Sequence, residues 1–223
     1  MPTIRFLGHA CFELTEGDVN VLIDPFLTGN PKAAVAADEV NPTHIFLTHG
    51  HQDHYGDTVD IAKRTGAEVV TLTETAGELA DHHDGVKDPN LGGTVDYDWG
   101  WVKFVPAWHT STTPNGTVAT PAGVVVEIGG RTIYHLGDTA LFSDLKLVAH
   151  RGDQIDVALM CIGGHYTMDP VDGVVAAELV GAKQVIPCHY NTFPPIEQDA
   201  EKFKSDVKSS EVVVLEPGET HSI

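Results

Sequence analysis

Thr48-His49-Gly50-His51-Gln52-Asp53-His54 is the stretch that decides how this 223-residue chain reads. It follows Ile45-Phe46-Leu47, a short apolar run of strand type, so the polar groups begin where a strand stops. His49 and His51 are two residues apart and point to one side of an extended segment. Asp53 and His54 come at once after them, where the chain turns toward a helix. Neutral imidazole and carboxylate are the ligands that Zn²⁺ takes in hydrolytic sites. Two groups on one side, with two more beyond the turn, can serve two neighbouring ions.

Working outward, three later segments end in ligand-capable residues after apolar runs. They are Phe104-Val105-Pro106-Ala107-Trp108-His109, Ile133-Tyr134-His135-Leu136-Gly137-Asp138-Thr139 and Val185-Ile186-Pro187-Cys188-His189-Tyr190. Strand ends are where open α/β architectures carry their active sites. A solitary histidine is ordinarily structural, and that reading is kept for His44, His82, His83, His150 and His221. The cluster is different, because its members are joined by three strand-end partners, and it calls for a metal site. Three more histidines stand beside these segments. His165 follows Gly163-Gly164, a pair that lets backbone approach a ligand. It is expected to contact substrate or act as general acid. His9, after Gly8, is expected to contact substrate, and His135 to support the ligands from behind. Trp108, Tyr166, Met168, Tyr190 and Phe193 flank the ligand segments and are expected to wall an apolar pocket.

Length and a hydrophobic content of 42% suit one α/β domain spanning residues 1–223. The charge balance is unusual: Asp plus Glu number 32, Lys plus Arg 13, and the formal net charge is -19. Such a surface repels phosphate backbones. Nucleic acid is therefore disfavoured, a small-molecule substrate is expected, and a homo-oligomer stays open. The plain meaning of the acidity is solubility, in a salty cytoplasm. Cys11, Cys161 and Cys188 form no disulfide framework and read as buried, inert thiols. Residues 1–13 lack a charged region followed by a long apolar one, and no run reaches bilayer length. Neither signal peptide nor membrane span is expected, and the default location is the cytoplasm.

Periodicity and turn signals lay out the rest. Strands are expected at 4–7, 11–14, 19–23, 45–47, 68–72, 94–98, 101–105, 123–128, 132–135, 157–162, 184–187 and 211–215. Short helices are expected at 33–40, 58–65 (closed by Gly66), 74–81 and 196–208, with 84–93 as a loop. Asp169-Pro170 starts a further helix, Gly181 closes it, and Val171, Val175 and Leu179 recur on one face. Two similar halves, with helices outside two facing sheets, fit this order.

With these residues in view, the chain resembles the metallo-β-lactamase superfamily, whose mark is His-x-His-x-Asp-His. More narrowly it resembles the small bacterial and archaeal metal-dependent hydrolases called UPF0173. The narrower likeness rests on Gly8-His9-Ala10-Cys11-Phe12, Ile23-Asp24-Pro25-Phe26, Ala107-Trp108-His109-Thr110-Ser111 and Tyr134-His135-Leu136-Gly137-Asp138-Thr139. It continues through Ile162-Gly163-Gly164-His165-Tyr166-Thr167-Met168 and Pro187-Cys188-His189-Tyr190-Asn191-Thr192-Phe193-Pro194, in the family's order. The resemblance implies an αββα four-layer sandwich with its site along one edge of the two sheets. It implies that His49, His51 and His109 hold a first metal, that Asp53, His54 and His189 hold a second, and that Asp138 bridges them. Asp24 resembles an aspartate that orients ligands from behind. Two divalent ions are implied, zinc first, with manganese, iron or nickel as the others. Set about 3.5–4 Å apart, they would share a water and lower its pKa toward neutrality. Asp53 is expected to take the proton of that water. The expected reaction is hydrolysis of a small ester, lactone or phosphodiester. An RNA-processing nuclease is opposed by the charge and by the lack of room for a nucleic-acid domain. A diiron redox protein of the same fold is opposed by His51, where those proteins carry a carboxylate. A non-catalytic binding module would be expected to have lost ligands, and none is missing.

Overall fold

Ile4 and Phe6, Phe12 and Leu14, and Val21 and Ile23 stand at alternate positions, so each opening run presents one apolar face. In the computed structural model, which describes residues 1–148 and 154–223, these runs form an antiparallel meander. Its strands are β1 (Thr3–Gly8), β2 (Cys11–Glu16) and β3 (Val19–Ile23). Beyond β3, the strands β4 (His44–Phe46), β5 (Glu68–Val70) and β6 (Val86–Lys87) add in parallel. The second half repeats the plan. Here β7 (Thr94–Tyr97), β8 (Gly100–Pro106), β9 (Ala122–Ile128) and β10 (Arg131–His135) run antiparallel. Then β11 (Val157–Cys161), β12 (Gln184–Cys188) and β13 (Glu211–Val212) follow in parallel. A last strand, β14 (Thr220–Ser222), returns to pair with β1, and each sheet has seven strands.

The alternating apolar positions of β1 to β3 meet Val102, Phe104, Val124, Val126, Val157 and Leu159 in a core between the two sheets. The outer face of the first sheet, with Leu22, Ile45 and Val69, is covered by α2 (Thr58–Thr65) and α3 (Thr73–Ala80), which follow the single turn α1 (Gln52–Tyr55). The outer face of the second, with Tyr134, Ala158 and Met160, is covered by α4 (Pro170–Val180) and α5 (Ala200–Asp206). The layers therefore run helix, sheet, sheet, helix, as expected. The parallel strands β11 and β12 have apolar faces on both sides, which explains why β11 is buried at every position. Their carboxyl ends, with those of β3, β4 and β10, lie on one rim.

Several expectations are corrected. Residues 33–40 are irregular. Ala34 N–H donates to Leu7 O, Ala36 N–H to Glu39 Oε2, and Arg64 caps the carbonyls of Ala37 and Val40, so neighbours replace helical hydrogen bonds. The last helix starts at Ala200 rather than 196, because Pro194–Ile196 makes a 3-10 turn and Asp199 caps the helix through Lys202 N–H. In α4 two of the three expected core positions, Val171 (75% exposed) and Val175 (43%), are turned to solvent, Leu179 packs only partly against the core, and Gly173, Ala176, Ala177 and Val180 are buried. The strand at 211–215 is shorter, and β6 and β14 were not expected. The three cysteines are free and buried, as read. Among the described residues no helix is long and apolar enough to cross a membrane. His150 lies outside the described residues.

Candidate metal centre

Asp24 follows β3 and organises the cluster. Its Oδ1 accepts from Thr48 N–H at 2.8 Å, and its Oδ2 accepts from the Thr48 hydroxyl at 2.7 Å. Oδ2 also lies 2.7 Å from His54 Nδ1, which must donate because the carboxylate cannot. The single hydroxyl proton of Thr48 goes to Asp24, so His49 Nδ1, 3.0 Å from Thr48 Oγ1, is the donor in that contact. In their neutral forms both histidines therefore carry the lone pair on Nε2, the tautomer a metal ligand needs there. His49 Nε2 lies 3.1 Å from His51 Nδ1. The His109 ring completes this trio, its centroid 5.3 Å from that of His49 and 5.1 Å from that of His51.

The second half brings the rest. At the end of β10, His135 Nε2 donates to Ala10 O (2.9 Å) and its Nδ1 accepts from Gly137 N–H (3.0 Å). Gly137 takes φ +64°, and a Cβ there would strike the Ala122 carbonyl oxygen, so only glycine makes the turn that presents Asp138. Asp138 Oδ1 lies 3.3 Å from His54 Nε2, and Oδ2 lies 3.1 Å from His189 Nε2 and 3.5 Å from His109 Nε2. His189 Nε2 is 3.7 Å from Asp53 Oδ2. Three overlapping sets emerge, each with its ligand atoms within 4.8 Å: His49, His51 and His109; His49, His54 and Asp138; and His9, Asp53, His54 and His189. Of the four non-glycine residues described with positive φ, three are His9, Asp24 and His189. Such backbone persists only where surroundings over-determine it.

The donor set fits a metal. His54 Nε2, Asp138 Oδ1 and His189 Nε2 are buried with no hydrogen-bond partner of good geometry. An orphaned buried polar atom costs about 1–3 kcal/mol, and cations held among these atoms would remove that cost. Imidazole with carboxylate is the mix that zinc and its neighbours in the first transition row accept. The charges of the cluster act strongly on one another. Burial pushes the Asp53 carboxyl up, but the nearby His189 imidazole, the hydrogen bond from His9 and the His54 ring more than offset this and hold it far below the usual range. Burial lowers His189, but the Asp138 and Asp53 carboxylates bring it up to about 9. Burial, with His189 and His54 nearby, brings His9 down to about 4.

An open cavity of about 490 Å³ lies over the cluster, with His51, Asp53, His109 and Asp138 on its floor and Phe26, Tyr166 and Phe193 in its wall. The structure thus brings together His49, His51, Asp53, His54, His109, Asp138 and His189, and places Asp24 and His135 behind them. Two residues do not go where sequence put them. His9 is 1% exposed and is not among the residues that line the cavity; it sits behind Asp53. His165 is exposed, its ring edge-on to Tyr166, and Tyr166 lines the cavity in its place. Of the flanking apolar residues only Tyr166 and Phe193 serve as wall. Met168 and Tyr190 pack in the outer core, and Trp108 (69% exposed) leans toward Phe142. Phe26, Thr48, Thr192 and Ser111, whose hydroxyl oxygen accepts from Gly50 N–H at 3.0 Å, were missed. Each stands within two or three residues of a ligand or of Asp24, which is the signal that was available.

Residues 3–189 match the family model described as a Beta-lactamase superfamily domain. A UPF0173 metal-dependent hydrolase of Thermus thermophilus is 49% identical over 223 residues, 98% of each chain. Another, of Thermococcus kodakarensis, is 45% identical over 221 residues, again 98% of each. Among solved structures, Igni18, a metallo hydrolase from the archaeon Ignicoccus hospitalis, superposes with a TM-score of 0.90 at 32% identity, covering 99% of this chain and 97% of that one. With close to half its residues shared from end to end on a common fold, the chain belongs to the β-lactamase superfamily and, within it, to the UPF0173 metal-dependent hydrolases.

Proposed function

We propose that the chain, acting as one domain over residues 1–223, is a dinuclear hydrolase of a small ester, lactone or phosphodiester. In this reading His49, His51 and His109 would hold one divalent cation, Asp53, His54 and His189 would hold a second, and Asp138 would be a ligand shared between them. The observation that carries it is the trio of buried atoms without a hydrogen bond, His54 Nε2, Asp138 Oδ1 and His189 Nε2, gathered from both halves of the chain. When bound, such a pair polarises a carbonyl or phosphoryl oxygen and supplies hydroxide at neutral pH. Asp53 is 30% exposed where Asp138 is 3%, so Asp53 is the carboxylate open to the cavity and able to take a proton from water there. Phe26, Tyr166 and Phe193 offer an apolar wall to the organic part of a substrate and limit the water around it. The imidazole majority favours zinc, with manganese, iron and nickel as competitors. A net charge of -19 favours a small substrate over a polyanion.

Elemental analysis of protein purified without chelators, followed by a screen on chromogenic lactones, thioesters and phosphodiesters, tests the reading. Two equivalents of metal and turnover of one of these classes are expected. Uptake of one equivalent or less overturns it. So does cleavage confined to RNA whose binding weakens steeply with salt.

A further inference from the structure

His9 stands behind Asp53, and the proposed chemistry makes no use of it. Its backbone is costly to hold. Gly8 and His9 both take positive φ, +111° and +59°, and the pairing of β1 with β2 shifts register between Phe6 and Gly8 to accommodate them. What over-determines this conformation is a set of contacts to loops from both halves of the chain. His9 O accepts from His189 N–H at 2.7 Å, and the two rings lie 4.0 Å apart between centroids. His9 Nε2 lies 3.1 Å from Asp53 Oδ2, and Nδ1 lies 2.8 Å from Thr192 Oγ1.

The tautomer follows from the partners. A carboxylate only accepts, so the proton of His9 sits on Nε2 and is donated to Asp53. Nδ1 then carries a lone pair, and the Thr192 hydroxyl donates to it. The other acceptor open to that hydroxyl, Tyr190 O, is farther, at 3.5 Å. His9 falls within the ligand-capable set of Asp53, His54 and His189. With Nε2–H on Asp53 and Nδ1 occupied by Thr192, however, it has no lone pair left for a cation. Asp53 Oδ2 has two lone pairs and accepts from His9 with one while the other stays available.

We propose that His9 is the positioning residue of the second cation subsite: it aims the Asp53 carboxylate through Nε2 and sets the His189 backbone through its carbonyl, with Thr192 holding its tautomer. This rests on Asp53 and His189 being ligands of one cation. Partners of this kind behind a ligand carry about 10–100-fold in metal affinity. Removing the His9 side chain therefore weakens the second subsite and spares the His49, His51 and His109 trio, which it does not touch.

The test is a competition titration of metal-free protein with Zn²⁺ against a chromogenic chelator, on the parent, His9→Asn, His9→Gln and Thr192→Val. Asn tolerates the left-handed backbone but is too short to reach Asp53; Gln is long enough to donate to it. The parent should take two equivalents. His9→Asn should keep a parent-like CD spectrum and the first equivalent at parent affinity, and lose about 10–100-fold on the second. His9→Gln should recover most of that loss, and Thr192→Val should show a smaller loss in the second equivalent alone. A parent that takes one equivalent sinks the dinuclear reading itself. Two equivalents at equal affinity in parent and His9→Asn sink the role of His9 alone. Equal weakening of both equivalents, or a Gln variant no better than Asn, also overturns it. So does a zinc-to-Nε2 distance of about 2.0 Å in crystals of the loaded protein, which would make His9 a ligand.

Discussion

At the scale of single residues, Asp24 and Thr48 decide which nitrogen of His49 and His54 faces the His/Asp cluster. That choice is invisible in the ligand motif, because it is made by a carboxylate 24 residues before Thr48. The identity of the ligands is another matter. Histidine and aspartate at the ends of apolar runs announce themselves, and each of the seven arrives where the others are. Asp53 is the residue on which the proposed chemistry leans hardest, as ligand and as proton acceptor. Asp53→Ala should lower turnover by orders of magnitude with a CD spectrum near that of the parent. Unchanged turnover on the true substrate would remove Asp53 from the mechanism.

At the scale of elements, α4 shows how packing overrides pattern. Val171 and Val175 face solvent, and Gly173, Ala176, Ala177 and Val180 are buried. A Cβ on Gly173 would lie 3.1 Å from both Ile162 Cγ2 and Phe203 Cε2. Small residues there let the helix come close to β11 and α5. Gly173→Val should therefore cost about 1–3 kcal/mol through overpacking, and Val171→Asp less than about 0.5 kcal/mol, both read from urea unfolding. A larger loss for Val171→Asp would restore the face that spacing suggested. At the opposite end of the sheet from the His/Asp cluster, Asp156 ties three strands together. It accepts from Thr132 N–H at 2.9 Å and lies 2.8 Å from Lys183 Nζ and 3.4 Å from Arg131 Nη1. Burial pushes its carboxyl up, but Lys183, Thr132 N–H and Arg131 more than offset this and hold it below the ordinary 3.8. A depressed carboxylate stabilises the fold above its unfolded value, and that contribution is lost as pH falls through the folded one. Both cations are partly exposed, so the effect is about 1 kcal/mol or less. Asp156→Asn should be less stable than the parent at pH 7, and the gap should close as pH falls below about 4. A gap that holds constant with pH would assign the loss to packing.

At the scale of the whole molecule, the charge matters more than any pair. With 32 acidic and 13 basic side chains the folded chain repels itself. Screening shortens to about 3 Å near 1 M salt, so the melting temperature should rise with NaCl. A flat or falling midpoint would separate the acidity from any adaptation to salt.

What the sequence determined alone was local: alternation in β1 to β3, the Asp169 cap and Gly181 stop of α4, and the spacing from His49 to His54. Each depends on neighbours within a few positions, so each is written there. The repeat of meander and parallel strands could be read as two halves for the same reason. The tertiary structure decided the rest. It took residues 33–40 out of a helix because Leu7 and Arg64 satisfy their backbone. It put Tyr166 rather than His165 on the cavity, and it sent His9 behind Asp53 on a left-handed backbone held by His189 and Thr192. In these cases the partner stands far along the chain, and only the meeting of the two sheets brings it within hydrogen-bond reach.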